Sequence, residues 1–84
     1  SLSDVAFLKD AKTRLQEFLQ SRHRPMPEYR VTEVSGQAHA QFFKEECLVE
    51  GEAEPGRGQG SSRRHAEQNA AQEMLSRLDA DRDG

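Results

Sequence analysis

At 84 residues, with a formal net charge of −3 and a mean hydropathy of −0.96, the chain has room for one domain built on one small core. Hydrophobic residues make up 33% and charged residues 32%, and no uncharged apolar run approaches the roughly 20 residues of a membrane span, so a soluble chain is expected. The single cysteine, Cys47, excludes an internal disulfide and suits a reducing, cytoplasmic setting.

Residues 1–9 contain Val5, Phe7 and Leu8 without a cap or a sustained period, and are expected to be a linker remnant from a preceding domain. The chain starts at Ser1 with no initiator Met and no signal-peptide order of charged, apolar and small residues, which suggests a fragment of something longer. Residues 10–78 carry the pattern of one domain. From Asp10, a plausible N-cap, to about Arg22 the spacing predicts a helix with Leu15, Phe18, Leu19 and Arg22 on one face. Thr13, Gln16, Glu17 and Gln20 fall on the opposite face. Pro25 and Pro27 end that helix and open an extended segment.

Tyr29–Val34 reads as a strand, closed by Ser35-Gly36. A second strand is expected from about Gln41 to Glu50, with Phe43, Glu45, Cys47 and Val49 on one face and Glu45 as the misfit among them. A brief third strand is expected around Pro55–Gln59, weakened by its glycines. Ala66, Ala70, Met74 and Leu78 then recur every four residues, flanked by Ala71 and Leu75. This predicts a helix capped by Ser61 or Ser62 and reaching about Leu78, its alanines small enough to lie close on a sheet. Residues 79–84 are expected to form an acidic, flexible tail.

The net charge conceals a segregation. From Phe43 to Glu54 a single Lys44 stands against Glu45, Glu46, Glu50, Glu52 and Glu54, whereas Pro55–Ala66 carries Arg57, Arg63 and Arg64 and no acid. One-sided basic charge is what a polyanion binder requires. Gly58-Gln59-Gly60-Ser61-Ser62-Arg63-Arg64-His65-Ala66 places glycines that would let a phosphate approach, then two arginines, at a helix start whose N–H groups are unpaired. The plainer reading is a turn, a cap and a solvated first turn. Lys followed by Ser or Thr does not follow the final glycine, so this is not a P-loop. His23, His39, His65 and Cys47 lack paired metal-ligand spacing, Cys47 is expected in the core, and the acids of residues 45–54 do not converge on a metal pattern. His39, in the loop Ser35–Ala40, could enter a groove or simply pack on its own hairpin.

Taken together, these pieces resemble a double-stranded RNA-binding domain, and especially the one at the C-terminus of bacterial ribonuclease III. The resemblance runs from about Asp10 to Leu78. It rests on Lys12-Thr13-Arg14-Leu15-Gln16-Glu17-Phe18-Leu19-Gln20, Pro27-Glu28-Tyr29, Gly36-Gln37-Ala38-His39, Gly51, and Gly58 through Ala71 in that order.

The resemblance implies an α+β fold of order α-β-β-β-α, both helices on one face of a three-stranded antiparallel sheet. It also implies sequence-independent binding of double-stranded RNA over about 16 base pairs, through 2′-hydroxyls and phosphates. Carried over, Thr13, Gln16, Glu17 and Gln20 become one minor-groove contact, and His39 with its loop becomes a second. Arg63 and Arg64, with the N–H groups near Ser61 and Ser62, become a phosphate clamp. The sequence departs from the family where Glu67 and His65 stand at often-basic positions, and where Glu45 stands at an apolar one. The resemblance further implies that the fragment is not itself an enzyme and needs no cofactor. The parent would be a magnesium-dependent endoribonuclease acting on ribosomal and messenger RNA precursors, dimeric through an absent nuclease domain, with the fragment monomeric. A module of this fold turned to protein–protein contact is the alternative.

Overall fold

The alternation of apolar positions is realised as five elements: α1 (Ala11–Ser21), β1 (Glu28–Ser35), β2 (Phe42–Leu48), β3 (Gly56–Gly60) and α2 (Arg63–Asp83). They are seen in a computed structural model that describes residues 10–83, with side chains as far as Asp79. The linker expected over residues 1–9 and the final glycine lie outside the described residues. The α+β class and the element order are those the sequence predicts.

In α1, Ala11, Leu15 and Leu19 recur at one-turn intervals and are buried. Asp10 caps its start: the backbone is extended there, and Oδ1 accepts from the Thr13 amide at 2.8 Å. At the other end the His23 amide donates to the Gln20 carbonyl and the Arg24 amide to that of Leu19, both at 3.0 Å. This paired closure puts His23 at a φ of 57°, a position where glycine is usual. Arg22, which its spacing places on the face of Leu15, Phe18 and Leu19, does not join the buried stripe; it is exposed, with its guanidinium 3.8 Å from the centre of the Phe18 ring.

The strands form one antiparallel sheet in the order β1-β2-β3. Tyr29 faces Cys47 and Val31 faces Glu45; the register then slips between Val31 and Glu33, so Thr32 is bulged and Val34 comes opposite Phe43. Phe43, Glu45 and Cys47 pair in turn with Gly60, Gly58 and Gly56 of β3. By the two-residue period, all three glycines share the face that α2 covers. A Cβ on Gly58 would come within 2.1 Å of the Ala70 nitrogen and 2.4 Å of the Ala66 carbonyl oxygen. The glycines therefore admit the helix, a use that the expected approach of a phosphate did not include.

On α2, Ala66, Ala70, Ala71, Met74, Leu75 and Leu78 are buried against β2, β3 and α1, closing a core with Leu15, Leu19, Cys47 and Val49. The helix continues to Asp83, past the end near Leu78 that the apolar period marks. Its side chains also wrap the free edge of β3: Glu73 accepts from the Arg57 amide and Asn69 donates to the Gln59 carbonyl, each at 2.8 Å. Arg77 donates to the carbonyls of Glu54 and Pro55 at 2.8 and 2.9 Å. Among the described residues, no helix is long and apolar enough to cross a membrane.

Candidate functional site

Burying Leu15 and Leu19 turns the opposite face of α1 outward, and Thr13, Gln16, Glu17 and Gln20 all stand exposed on it. At the start of α2 the cap resolves to Ser62, whose Oγ accepts from the His65 amide at 3.1 Å while its carbonyl accepts from that of Ala66 at 3.0 Å. Ser61 precedes it, exposed. The amides of Arg63 and Arg64 find no acceptor among the described residues, so the positive end of this helix stays open toward solvent.

The start of α1 is closed by contrast. Gln68 of α2 reaches across and accepts through Oε1 from the amides of Ala11, at 2.8 Å, and Lys12, at 3.3 Å, while Asp10 takes that of Thr13. Hydrogen bonds from the backbone and hydroxyl of Thr13, then from Gln68, with the charge of Arg64, hold the exposed Asp10 carboxyl below its ordinary value. Arg64, Thr13 and Gln16 thus line one surface hollow, together with Asp10, Lys12, Glu67 and Gln68. The two expected contact regions on α1 and α2 adjoin.

The turn bearing His39 is closed by the Ala40 amide donating to the Gln37 carbonyl at 2.8 Å. Gly36 opens it at a φ of 85°, and a Cβ there would meet the Ala40 carbonyl oxygen at 2.4 Å, so only glycine fits. His39 is exposed and does not line the hollow of Thr13, Gln16 and Arg64. The register nevertheless sets its turn at the same end of the sheet as the start of α2, because Phe42 follows the turn and Phe43 pairs with Gly60. The acidic turn of Glu50, Glu52 and Glu54 lies at the far end.

Ion pairing sorts the cations further. Lys12, Arg24, Arg30, Lys44, Arg57 and Arg77 are each engaged with a carboxylate, whereas Arg14, Arg22, Arg63 and Arg64 are in no ion pair among the described residues. Arg57 is separated from the basic corner it adjoins in sequence: it lies on the outer sheet face, 3.6 Å from Glu46 and 3.7 Å from Glu54. Glu67 is paired with Lys12, whose ammonium also lies 4.9 Å from the centre of the Tyr29 ring.

Beneath the site, Glu45 is only 2% exposed and its Oε2 has no hydrogen-bond partner among the described residues. Burial, and then the charge of Glu67, push its carboxyl above the usual range, opposed by Arg63 and Lys12. Gln68 and the Lys12–Glu67 pair are the site residues that sequence reasoning missed; their contacts span more than 50 positions and leave no local periodicity.

The double-stranded RNA binding motif family matches residues 11–78. A ribonuclease 3 from Alkalilimnicola ehrlichii is 53% identical over 79 residues, covering 94% of this chain and 35% of that protein. The chain thus spans about a third of the length of that relative. Among solved structures, one of Arabidopsis HYL1, described for its implications in miRNA processing, aligns with a TM-score of 0.69 at 31% identity over 81% of this chain and 94% of that one. The first double-stranded RNA-binding domain of HYL1 aligns with a TM-score of 0.67 at 30% identity, over 83% and 97%.

Proposed function

Because the chain belongs to the double-stranded RNA binding motif family, we propose that it grips duplex RNA by backbone shape, and that it is the substrate-holding domain of a ribonuclease III-type endoribonuclease. The observation that carries the reading is the hollow shared by Arg64 of α2 with Thr13 and Gln16 of α1, beside a helix start whose amides are open. Arg63, Arg64 and the backbone near Ser61 and Ser62 take phosphates across the major groove. Thr13, Gln16, Glu17 and Gln20 meet ribose hydroxyls in one minor groove, and His39 with its turn meets the next. An A-form major groove is too deep and narrow for side chains to read, so the recognition is independent of base sequence.

In the parent, cleavage of ribosomal and messenger RNA precursors in the cytoplasm, and dimerisation, belong to the nuclease half, as does magnesium. This domain acts as a monomer. No group of three acidic, histidine or cysteine side chains among the described residues is placed to hold a metal, and no step here runs through one. The protein-contact alternative would use a sheet face or α2; on the outer sheet face Arg30, Glu46, Arg57 and Glu54 already pair with one another.

The test is a titration with duplex RNA, duplex DNA and single-stranded RNA of equal length. Preference for duplex RNA is expected, and Arg63→Glu with Arg64→Glu should abolish it while leaving the melting temperature near the parent's, since both side chains are exposed. Equal affinity for the three ligands, or undiminished binding by the double variant, would sink the reading.

A further inference from the structure

We propose that Gln68 is the residue that sets the spacing between the groove-contacting face of α1 and the phosphate-contacting start of α2, an inference that rests on the RNA-binding reading above. Its carboxamide oxygen takes two of the unpaired amides at the start of α1, those of Ala11 and Lys12, across the interface between the helices. Only the oxygen can do this, because both partners are donors, so the orientation of the amide is settled by chemistry. The bond joins the α1 backbone immediately before Thr13 to a side chain one turn after Arg64, at the hollow that Thr13, Arg64 and Gln68 line. A second link at this end, Lys12 to Glu67, is a partly exposed ion pair and holds geometry weakly, as does the charge of Arg64 on the exposed Asp10.

Deeper along the interface, Leu15 and Leu19 pack on the alanine stripe, but such apolar contacts tolerate a small slide. A hydrogen bond to two fixed donors does not. Without it the first turn of α1 seeks water for its amides, and Thr13 and Gln16 leave register with Arg64. The predicted signature is therefore coupling: the value of Gln16 to RNA binding depends on Gln68, although Gln68 need not touch RNA.

The experiment is a double-variant cycle on duplex RNA affinity with Gln68→Met, Gln16→Ala and both together, each checked for a folded melting transition. Gln68→Met should weaken binding about tenfold, the scale of leaving such a bond unmade, and Gln16→Ala should then add little, while Arg64→Ala keeps its full effect in either background. Gln68→Glu keeps the acceptor for the two α1 amides but loses the donor to the Asp10 carboxyl. It is therefore paired with Asp10→Asn, which relieves the repulsion, and together they should restore the full effect of Gln16→Ala. Should Gln68→Met be unfolded at the assay temperature, Gln68→Asn, too short to reach both donors, replaces it in the cycle. Additive losses, parental affinity of Gln68→Met, or failure of Gln68→Glu with Asp10→Asn to restore the dependence each overturn the inference. Absence of duplex binding by the parent chain itself would instead overturn the functional reading on which it rests.

Discussion

His23 occupies the left-handed region at the end of α1, where a Cβ crowds the following carbonyl by about 1 kcal/mol relative to glycine. Its side chain is exposed, so little packing is lost by removing it. His23→Gly is expected to raise stability by about 1 kcal/mol, less a fraction lost to greater unfolded-state freedom, measured as a shift in urea midpoint. Glu45 presents the opposite case, a side chain whose chemistry resists its surroundings. Its folded-state carboxyl is raised above the ordinary 4.5, so the folded chain binds the proton more tightly than the unfolded chain. The burial penalty acts in full above the raised value and fades as pH falls toward 4.5. Glu45→Met should accordingly stabilise the fold by about 1–3 kcal/mol at neutral pH. That advantage should shrink steadily on acidification, as followed by urea unfolding across the acid range.

At the level of elements, the closest fit is β3 under α2. Gly58→Ala would drive a methyl into the backbone at Ala66 and Ala70, which cannot yield as a side-chain end could. A loss of roughly 3 kcal/mol is expected, together with weaker RNA binding as the start of α2 lifts, read by denaturation and titration on the same sample. The elements that were legible in the sequence are those with a local period. Leu15 and Leu19 mark α1, Ala66, Ala70 and Met74 mark α2, and the alternation through Cys47 marks β2. The strand glycines were legible as glycines but not in purpose, because their reason is a helix that packs on them from further along the chain. The bulge at Thr32 and the reach of α2 to Asp83 likewise depend on partners rather than on local pattern. The candidate RNA-facing residues could be named from motif order; that Arg64 and Gln16 border one hollow follows from the Gln68 bridge, a contact between remote positions.

For the whole molecule, the net charge of −3 is reconciled with a polyanion ligand by where the charges sit. Arg63 and Arg64, which form no ion pair among the described residues, lie at one end of the sheet, and the acidic turn of Glu50, Glu52 and Glu54 at the other. The length of β3 sets the two ends more than one Debye length apart, about 8 Å at physiological salt, so the far acids are largely screened from the basic end. Glu50→Lys and Arg64→Glu alter net charge by the same amount in opposite senses, yet their expected effects are not mirror images. Glu50→Lys should leave duplex affinity within about twofold. Arg64→Glu should lower it steeply and reduce the log–log salt slope by about one unit for each phosphate no longer neutralised. Binding isotherms over a salt series decide between placement and total charge.

The wrapping of β3 by Glu73 and Asn69 limits how copies of this domain can stack. A cross-β filament grows only if each unit offers a free strand edge on both sides, and here β1 is the only such edge among the described residues. It is interrupted at Thr32 and bordered by Glu28, Arg30 and Glu33. Edge-to-edge association of the native fold therefore stops at a pair, and fibre growth would first require α2 to peel from the sheet.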